Sequence, residues 1–217
     1  MRKENKRNLY IGAVSLTAFI FWTLLVRIND VRAIGPNDTT VGFAEINYYI
    51  HNLTGVNMAL YNITDWLGLV PITFAMGFGL LGLIQWIKRK NFFKVDYSII
   101  ILGLFYIAVI AVYIFFEKVV VNYRPILING YLETSYPSST TMLVLCVMPT
   151  TVMQLNNCIT KKIIRRGVSL LITAFTAFMV IGRIISGVHW ITDIIGGALL
   201  STGLVMMYRY FVNQSKY

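Results

Sequence analysis

An arginine, a histidine and an aspartate (Arg183, His189 and Asp193) stand in the apolar run GRIISGVHWITDIIGG, Gly182 to Gly197. Ionisable side chains in membrane-like sequence are costly and usually functional. His189 and Asp193 are four residues apart, so on one helix they share a face. A carboxylate there can accept a proton from one imidazole nitrogen and leave the other free as a nucleophile or base. Arg183 lies six residues before His189 and falls on a different face of any continuous helix. A turn at Ser186-Gly187, between two helices, lets both point at one spot. The simpler reading of these residues is an Arg–Asp pair that ties two helix ends together, with His189 filling space.

The elements that must hold these groups are membrane helices. The 217 residues are 57% hydrophobic and 13% charged, against about 25% charged in a soluble domain. Several apolar runs approach the ~20 residues that span a bilayer. The expected fold is all-α: a polytopic membrane protein with six transmembrane helices in one bundle, a single domain over residues 1–217. The helices are expected at about 9–26, 66–87, 97–116, 140–155, 168–185 and 189–211. The first run is too long for a signal-peptide core and no small-residue cleavage site follows it, so an uncleaved span is expected. Phe43 to Leu53 reads as a short amphipathic surface helix. Gly35-Pro36-Asn37-Asp38 and Asn129-Gly130 read as turns, and Pro137-Ser138-Ser139 as a helix entry capped by a serine. Gly77, Gly79 and Gly82 fit GxGxxG, but inside a transmembrane helix they predict close helix packing. Cys146 and Cys158 have no metal-ligand spacing and read as plain thiols.

The positive charges orient the bundle. Arg2, Lys3, Lys6, Arg7, Lys88, Arg89, Lys90, Lys94, Lys161, Lys162, Arg165, Arg166, Arg209 and Lys216 fall on one side. Arg27, Arg32, Lys118, Arg124 and Arg183 fall on the other. Fourteen against five predicts cytoplasmic termini by the positive-inside rule. The net charge of +10 is thereby an orientation signal, and no nucleic-acid partner is expected.

In this topology Arg124, Arg183, His189, Asp193, Glu117, Lys118 and the Ser138-Ser139 turn converge on one outer layer. Two arginines and a helix N-terminus form an anion site suited to phosphate. His189 beside that anion could attack phosphorus, with Asp193 holding the ring and stabilising the imidazolium. No carboxylate cluster suggests a metal, and no cofactor is expected; the arginines supply the charge stabilisation.

These residues resemble the type 2 phosphatidic acid phosphatases, metal-independent membrane enzymes that include lipid phosphate and prenyl diphosphate phosphatases. The family carries K-x6-R-P, P-S-G-H and S-R-x5-H-x3-D. This chain has E-KVVVNY-R-P at Glu117 to Pro125, P-S-S-T at Pro137 to Thr140 and G-R-IISGV-H-WIT-D at Gly182 to Asp193. The resemblance implies that His189 is the nucleophile, that Asp193 orients it, and that Arg124, Arg183 and the Ser138-Ser139 backbone grip the phosphate.

Each of the three stretches departs from the pattern. Glu117 stands at the first-motif lysine, with Lys118 one place late and so turned by ~100° on a helix. Thr140 stands at the second-motif histidine, the expected general acid, and Gly182 at the third-motif serine. The only other histidine, His51, reads as a surface or interfacial residue. General acid catalysis is worth about 10²–10⁴-fold. An alkoxide leaving group needs that proton far more than a phosphate leaving group does. The expected activity is therefore removal of phosphate from a lipid phosphate or, preferentially, a prenyl diphosphate at the outer face, through a phosphohistidine. A protonated Glu117 is the other candidate acid. Ser138, Ser139, Thr140, Glu117 and Lys118 are the expected substrate contacts. A non-catalytic lipid-phosphate binder and a lipid phosphotransferase are the alternatives. The partners expected are the lipid substrate and membrane lipids, in a bacterial plasma membrane.

Overall fold

The structure is a computed structural model that describes residues 3–214. Arg2 and Lys216, counted above among the basic residues, lie outside the described residues. The chain runs α1 (Lys3–Ile28), a two-residue ribbon of β1 (Arg32–Ala33) and β2 (Thr40–Val41), α2 (Ala44–Thr54), α3 (Met58–Leu67), α4 (Leu69–Arg89), α5 (Tyr97–Lys118), α6 (Ser139–Cys158), α7 (Lys162–Ile185) and α8 (Ile191–Gln214). The ribbon is antiparallel, pairs Arg32 with Val41, and closes around the turn expected at Gly35-Pro36-Asn37-Asp38.

Among the described residues, five helical stretches are long and apolar enough to cross a membrane: Lys3–Ile28, Met58–Arg89, Tyr97–Lys118, Lys162–Ile185 and Ile191–Gln214. The protein is an all-α integral membrane protein. The expected count of six spans rests on α6, which is 20 residues long but less apolar. Its buried Thr140, Thr141, Thr150 and Gln154 explain the difference. α6 packs against α4, α5, α7 and α8, so its polar groups find protein partners where a lipid-facing helix would find none. Thr150 Oγ1, for instance, donates to the carbonyl of Cys146 at 2.9 Å.

Two boundaries differ from the expected ones. The second span starts at Met58, well before 66, and breaks at Gly68. Pro71 has no N–H for the Leu67 carbonyl and its ring crowds that carbonyl, which ends α3 and restarts the chain as α4. Asn57 caps α3 by accepting from the Leu60 N–H at 2.9 Å. The 161–166 segment, which falls between the helices expected at 140–155 and 168–185, is largely the first turns of α7. Its lysines and arginines are good helix formers, and mean polarity alone does not reveal a helix that extends out of the bilayer.

The glycine reading is also corrected. A Cβ on Gly77 or Gly79 would meet nothing within 4 Å, and only Gly82 faces a neighbour, Ile99 at 3.0 Å. Gly79 instead lines an apolar cavity. The main core gathers Phe19, Leu102, Phe105, Tyr136, Met142, Leu200 and Tyr208 from α1, α5, α6, α8 and the loop before α6. α8 is the most enclosed span, with 56% of its most apolar window buried against 11–22% for the other four. It lies along α1 and beside α6, so residues at its N-terminus are held from several sides.

Candidate active site

Three loops meet at the ends of α5, α6, α7 and α8. The first is the stretch between α5 and α6. It folds back on itself through a turn at Asn129-Gly130, whose φ values of 51° and 83° are both positive, as a two-residue hairpin turn of this hand requires. Arg124 N donates to Glu133 O at 3.0 Å and Ser135 N to Asn122 O at 3.0 Å. That register sets Asn122 and Arg124 on one limb beside Glu133 and Ser135 on the other. The second loop, Ser186 to Trp190, turns the chain from α7 into α8. Gly187 has φ 65°, and a Cβ there would lie 1.8 Å from Gly55 O. The third is the α2–α3 turn that packs behind it. α2 also contributes buried Asn47, whose Oδ1 accepts from Thr192 N at 3.3 Å and so caps α8.

His189 lies before α8, not on it, so the shared helical face expected for His189 and Asp193 is not formed. Its Nδ1 is 3.9 Å from Asp193 Oδ2, beyond direct hydrogen bonding. Ser135 stands between them. Its Oγ donates to Asp193 Oδ2 at 2.5 Å and lies 3.0 Å from His189 Nδ1. Asp193 also accepts from Trp190 N at 2.9 Å and Asn122 Nδ2 at 3.2 Å. His189 and Asp193 are buried, and His189 Nε2 has no hydrogen-bond partner among the described residues. Burial, then the charges of Arg124 and Arg183, hold His189 well below the usual imidazole range, so its ring is neutral at neutral pH.

The arginines are fixed from the side. Arg183 Nη2 donates to Thr140 Oγ1 at 2.5 Å and to Asp65 Oδ1 at 3.3 Å, and Nη1 donates to Thr64 Oγ1 at 3.3 Å. Its guanidinium lies 4.9 Å from the Tyr61 ring centre, and that of Arg124 lies 5.7 Å from the same ring. Arg124 Nε pairs with Glu133 Oε2 at 3.1 Å, while Arg124 Nη1 and Arg183 Nε are buried without a hydrogen-bond acceptor. Gly182 comes against α3, where a Cβ would lie 2.7 Å from the Thr64 methyl. A side chain at 182 is thus excluded by the residue whose hydroxyl holds Arg183.

Of the other expected residues, Ser138 caps α6, with its Oγ accepting from Thr141 N at 3.5 Å. Its own N–H goes to Asp193 O at 3.1 Å, so it cannot serve an anion. The N–H groups left over at the helix start are those of Ser139 and Thr140. Glu117 is exposed and accepts from Thr134 Oγ1 at 3.0 Å. It lines, with Tyr113, Ser135, Ser139 and His189, a pocket of about 10 Å³, room for one water. Lys118 is exposed and does not line that pocket. His51 is half-buried with its ring 5.5 Å from that of Trp190. It backs the His189 loop and does not face the pocket.

Ser135, Asn122, Tyr61, Asp65, Thr64 and Asn47 were not singled out in the sequence. Among the described residues no three His, Cys, Asp or Glu side chains converge as metal ligands. A second cavity, of about 790 Å³, lies between α4, α5 and α6. Ile72, Met76, Gly79, Ile107, Ile110 and Leu143 line it, and it reaches Ser139 and Thr140.

The PAP2 superfamily model matches residues 117–217, the segment that carries all three motif-like stretches. The resemblance to type 2 phosphatidic acid phosphatases read from the sequence holds there. No curated protein matches the chain in sequence. Among solved structures, the chain is similar to a transmembrane PAP2-type phosphatidylglycerolphosphate phosphatase from Bacillus subtilis. The TM-score is 0.68 and the identity 16%, over 94% of this chain and 97% of that one. The chain therefore has the fold of a PAP2-type membrane phosphatase.

Proposed function

We propose that the protein hydrolyses a lipid phosphate or prenyl diphosphate at the outer face of a bacterial plasma membrane, through a phosphohistidine at His189. One observation carries the reading. Among the described residues His189 Nε2, Arg124 Nη1 and Arg183 Nε are buried polar atoms with no partner, on groups whose charges act on one another. Buried polar atoms left unpaired are costly; a phosphate would satisfy the two arginine donors and bring its phosphorus to the Nε2 lone pair.

In the reaction the Nε2 lone pair attacks phosphorus while Arg124 and Arg183 hold the non-bridging oxygens. The bond from phosphorus to the leaving oxygen breaks, and that oxygen keeps the electron pair. Water then attacks phosphorus, the N–P pair returns to Nε2, and the water proton passes to phosphate or solvent. Ser139 and Thr140 N–H groups lie where the anion enters, at the positive end of α6. The cavity between α4, α5 and α6 takes the lipid chain, because it joins that helix start to the membrane interior. Thr140 cannot protonate an alkoxide, so a diphosphate is the better substrate. Glu117, on the same pocket as His189, is the one carboxyl placed to move a proton there.

The distribution of the basic residues supports a site on the outer side, with both termini cytoplasmic. The second reading, a lipid-phosphate binder without turnover, is favoured by Thr140, which binds Arg183 where the family has an acid. The test is phosphate release by purified protein in detergent with EDTA, from a prenyl diphosphate and from phosphatidic acid. The hydrolase reading expects release that His189→Ala abolishes. Tight binding of both lipids with no release would select the binder.

A further inference from the structure

We propose that Ser135 is the positioning residue that sets the tautomer of His189, by relaying Asp193 to the ring. The inference rests on the hydrolase reading for its kinetic arm only. Hydrogen counting carries it. A serine hydroxyl has one proton and two lone pairs. That proton goes to Asp193 Oδ2 at 2.5 Å, so toward His189 Nδ1, 3.0 Å away, Ser135 Oγ can only accept. Nδ1 then bears the hydrogen, and Nε2 keeps the lone pair with which it attacks. Direct control by Asp193 is ruled out by the 3.9 Å gap.

The serine is itself held on both sides. Ser135 is 3% exposed, and its N–H is tied to Asn122 O. The next residue, Tyr136, packs so closely on Gly196 that a Cβ there would lie 2.6 Å from the ring. Tyr136 Oη is also 2.7 Å from Thr23 Oγ1. Asp193 is anchored by Trp190 N and Asn122 Nδ2 without help from Ser135. Loss of the hydroxyl therefore cuts the link between ring and carboxylate and leaves the carboxylate in place, with the Ser135 backbone as the one remaining contact of that residue to the ring. As phosphorus bonds to Nε2 the ring becomes cationic. The Nδ1–H bond to Ser135 then strengthens, and the serine passes that stabilisation to Asp193.

The chain has two histidines, so ring ¹⁵N spectra of histidine-labelled protein in detergent hold two imidazoles, and His189→Ala assigns them. In the unsubstituted protein the His189 signals are expected to show Nδ1 protonated and Nε2 bare. In Ser135→Ala they should shift toward a mixture of tautomers, and in Ser135→Thr they should stay. In phosphate release Ser135→Ala should lower kcat about 10–100-fold with KM within about 2-fold, and Ser135→Thr should recover most of it. On an Asp193→Asn background, adding Ser135→Ala should cost less than about 2-fold, because the two act as one unit. Unchanged ring signals in Ser135→Ala, or losses that multiply in the double variant, would overturn the relay. Absence of turnover in the unsubstituted protein would count against the hydrolase reading alone, since the ring spectra still decide the tautomer.

Discussion

Thr140 Oγ1 accepts a 2.5 Å hydrogen bond from Arg183 Nη2. The residue at the second-motif histidine position thus holds Arg183. Thr140→Val should leave the arginine held only by Thr64 and Asp65. A fall of about 10-fold in kcat/KM is expected, measured as phosphate release. Thr140→His should restore a proton donor. It should therefore raise the rate on phosphatidic acid relative to a prenyl diphosphate, read as the ratio of the two rates.

Arg183→Lys keeps the charge but loses the planar fork that reaches Thr64, Asp65 and Thr140 at once. A loss of about 10²–10³ in kcat is expected, comparable to removal of one preorganised transition-state donor. Binding of inorganic phosphate to the same variant, followed by tryptophan fluorescence, should weaken as well.

The acid limb of the rate profile should lie below pH 6.5, the ordinary imidazole value, because His189 is held well below it. Stability should move with it. Between pH 6.5 and the lowered value the unfolded chain binds a proton that the folded protein does not. Unfolding is then favoured as pH falls through that window. His189→Ala should flatten that part of the thermal-stability curve.

Gly79 and Gly103 both border the cavity between α4, α5 and α6, and a Cβ at either meets nothing within 4 Å. Gly79→Leu and Gly103→Leu should fill the space without disturbing the helices. KM for a long-chain lipid phosphate should rise about 10-fold, from the loss of ~1.4 kcal/mol of chain burial. A short-chain soluble analogue should be hydrolysed as before.

Gly187→Ala should be poorly tolerated, since it adds a Cβ 1.8 Å from Gly55 O at a φ of 65°. A destabilisation of about 2 kcal/mol or more is expected, visible as lost thermal stability in detergent.

Local signals in the sequence carried a good part of this site. The Ser186-Gly187 turn, the Asn129-Gly130 turn and the Ser138 cap are written in residue types that favour those conformations, and each forms where expected. The five apolar stretches follow from hydropathy. Ser135 was not legible, because it lies 54 residues from His189 and 58 from Asp193, and a serine is common in loops. Asn47 caps a helix 145 residues away, which no local pattern announces. The start of α3 was hidden because Asn57, Tyr61 and Asp65 interrupt the apolar run before 66. Two of those side chains face the arginines of the site, which is why polar residues stand there.

α1 lies along α8, with the Trp22 indole donating to the Thr192 carbonyl at 3.1 Å. α1 therefore emerges from the ribosome long before α8, the helix that covers its packing face. Throughout synthesis it must be sheltered by lipid or by the insertion machinery. The same clasp makes the bundle dependent on α8: a chain that stops before it would strand α1 and lose Asp193. A chain without α8 thus carries no half-built site, because the carboxylate beside the His189 loop belongs to that helix.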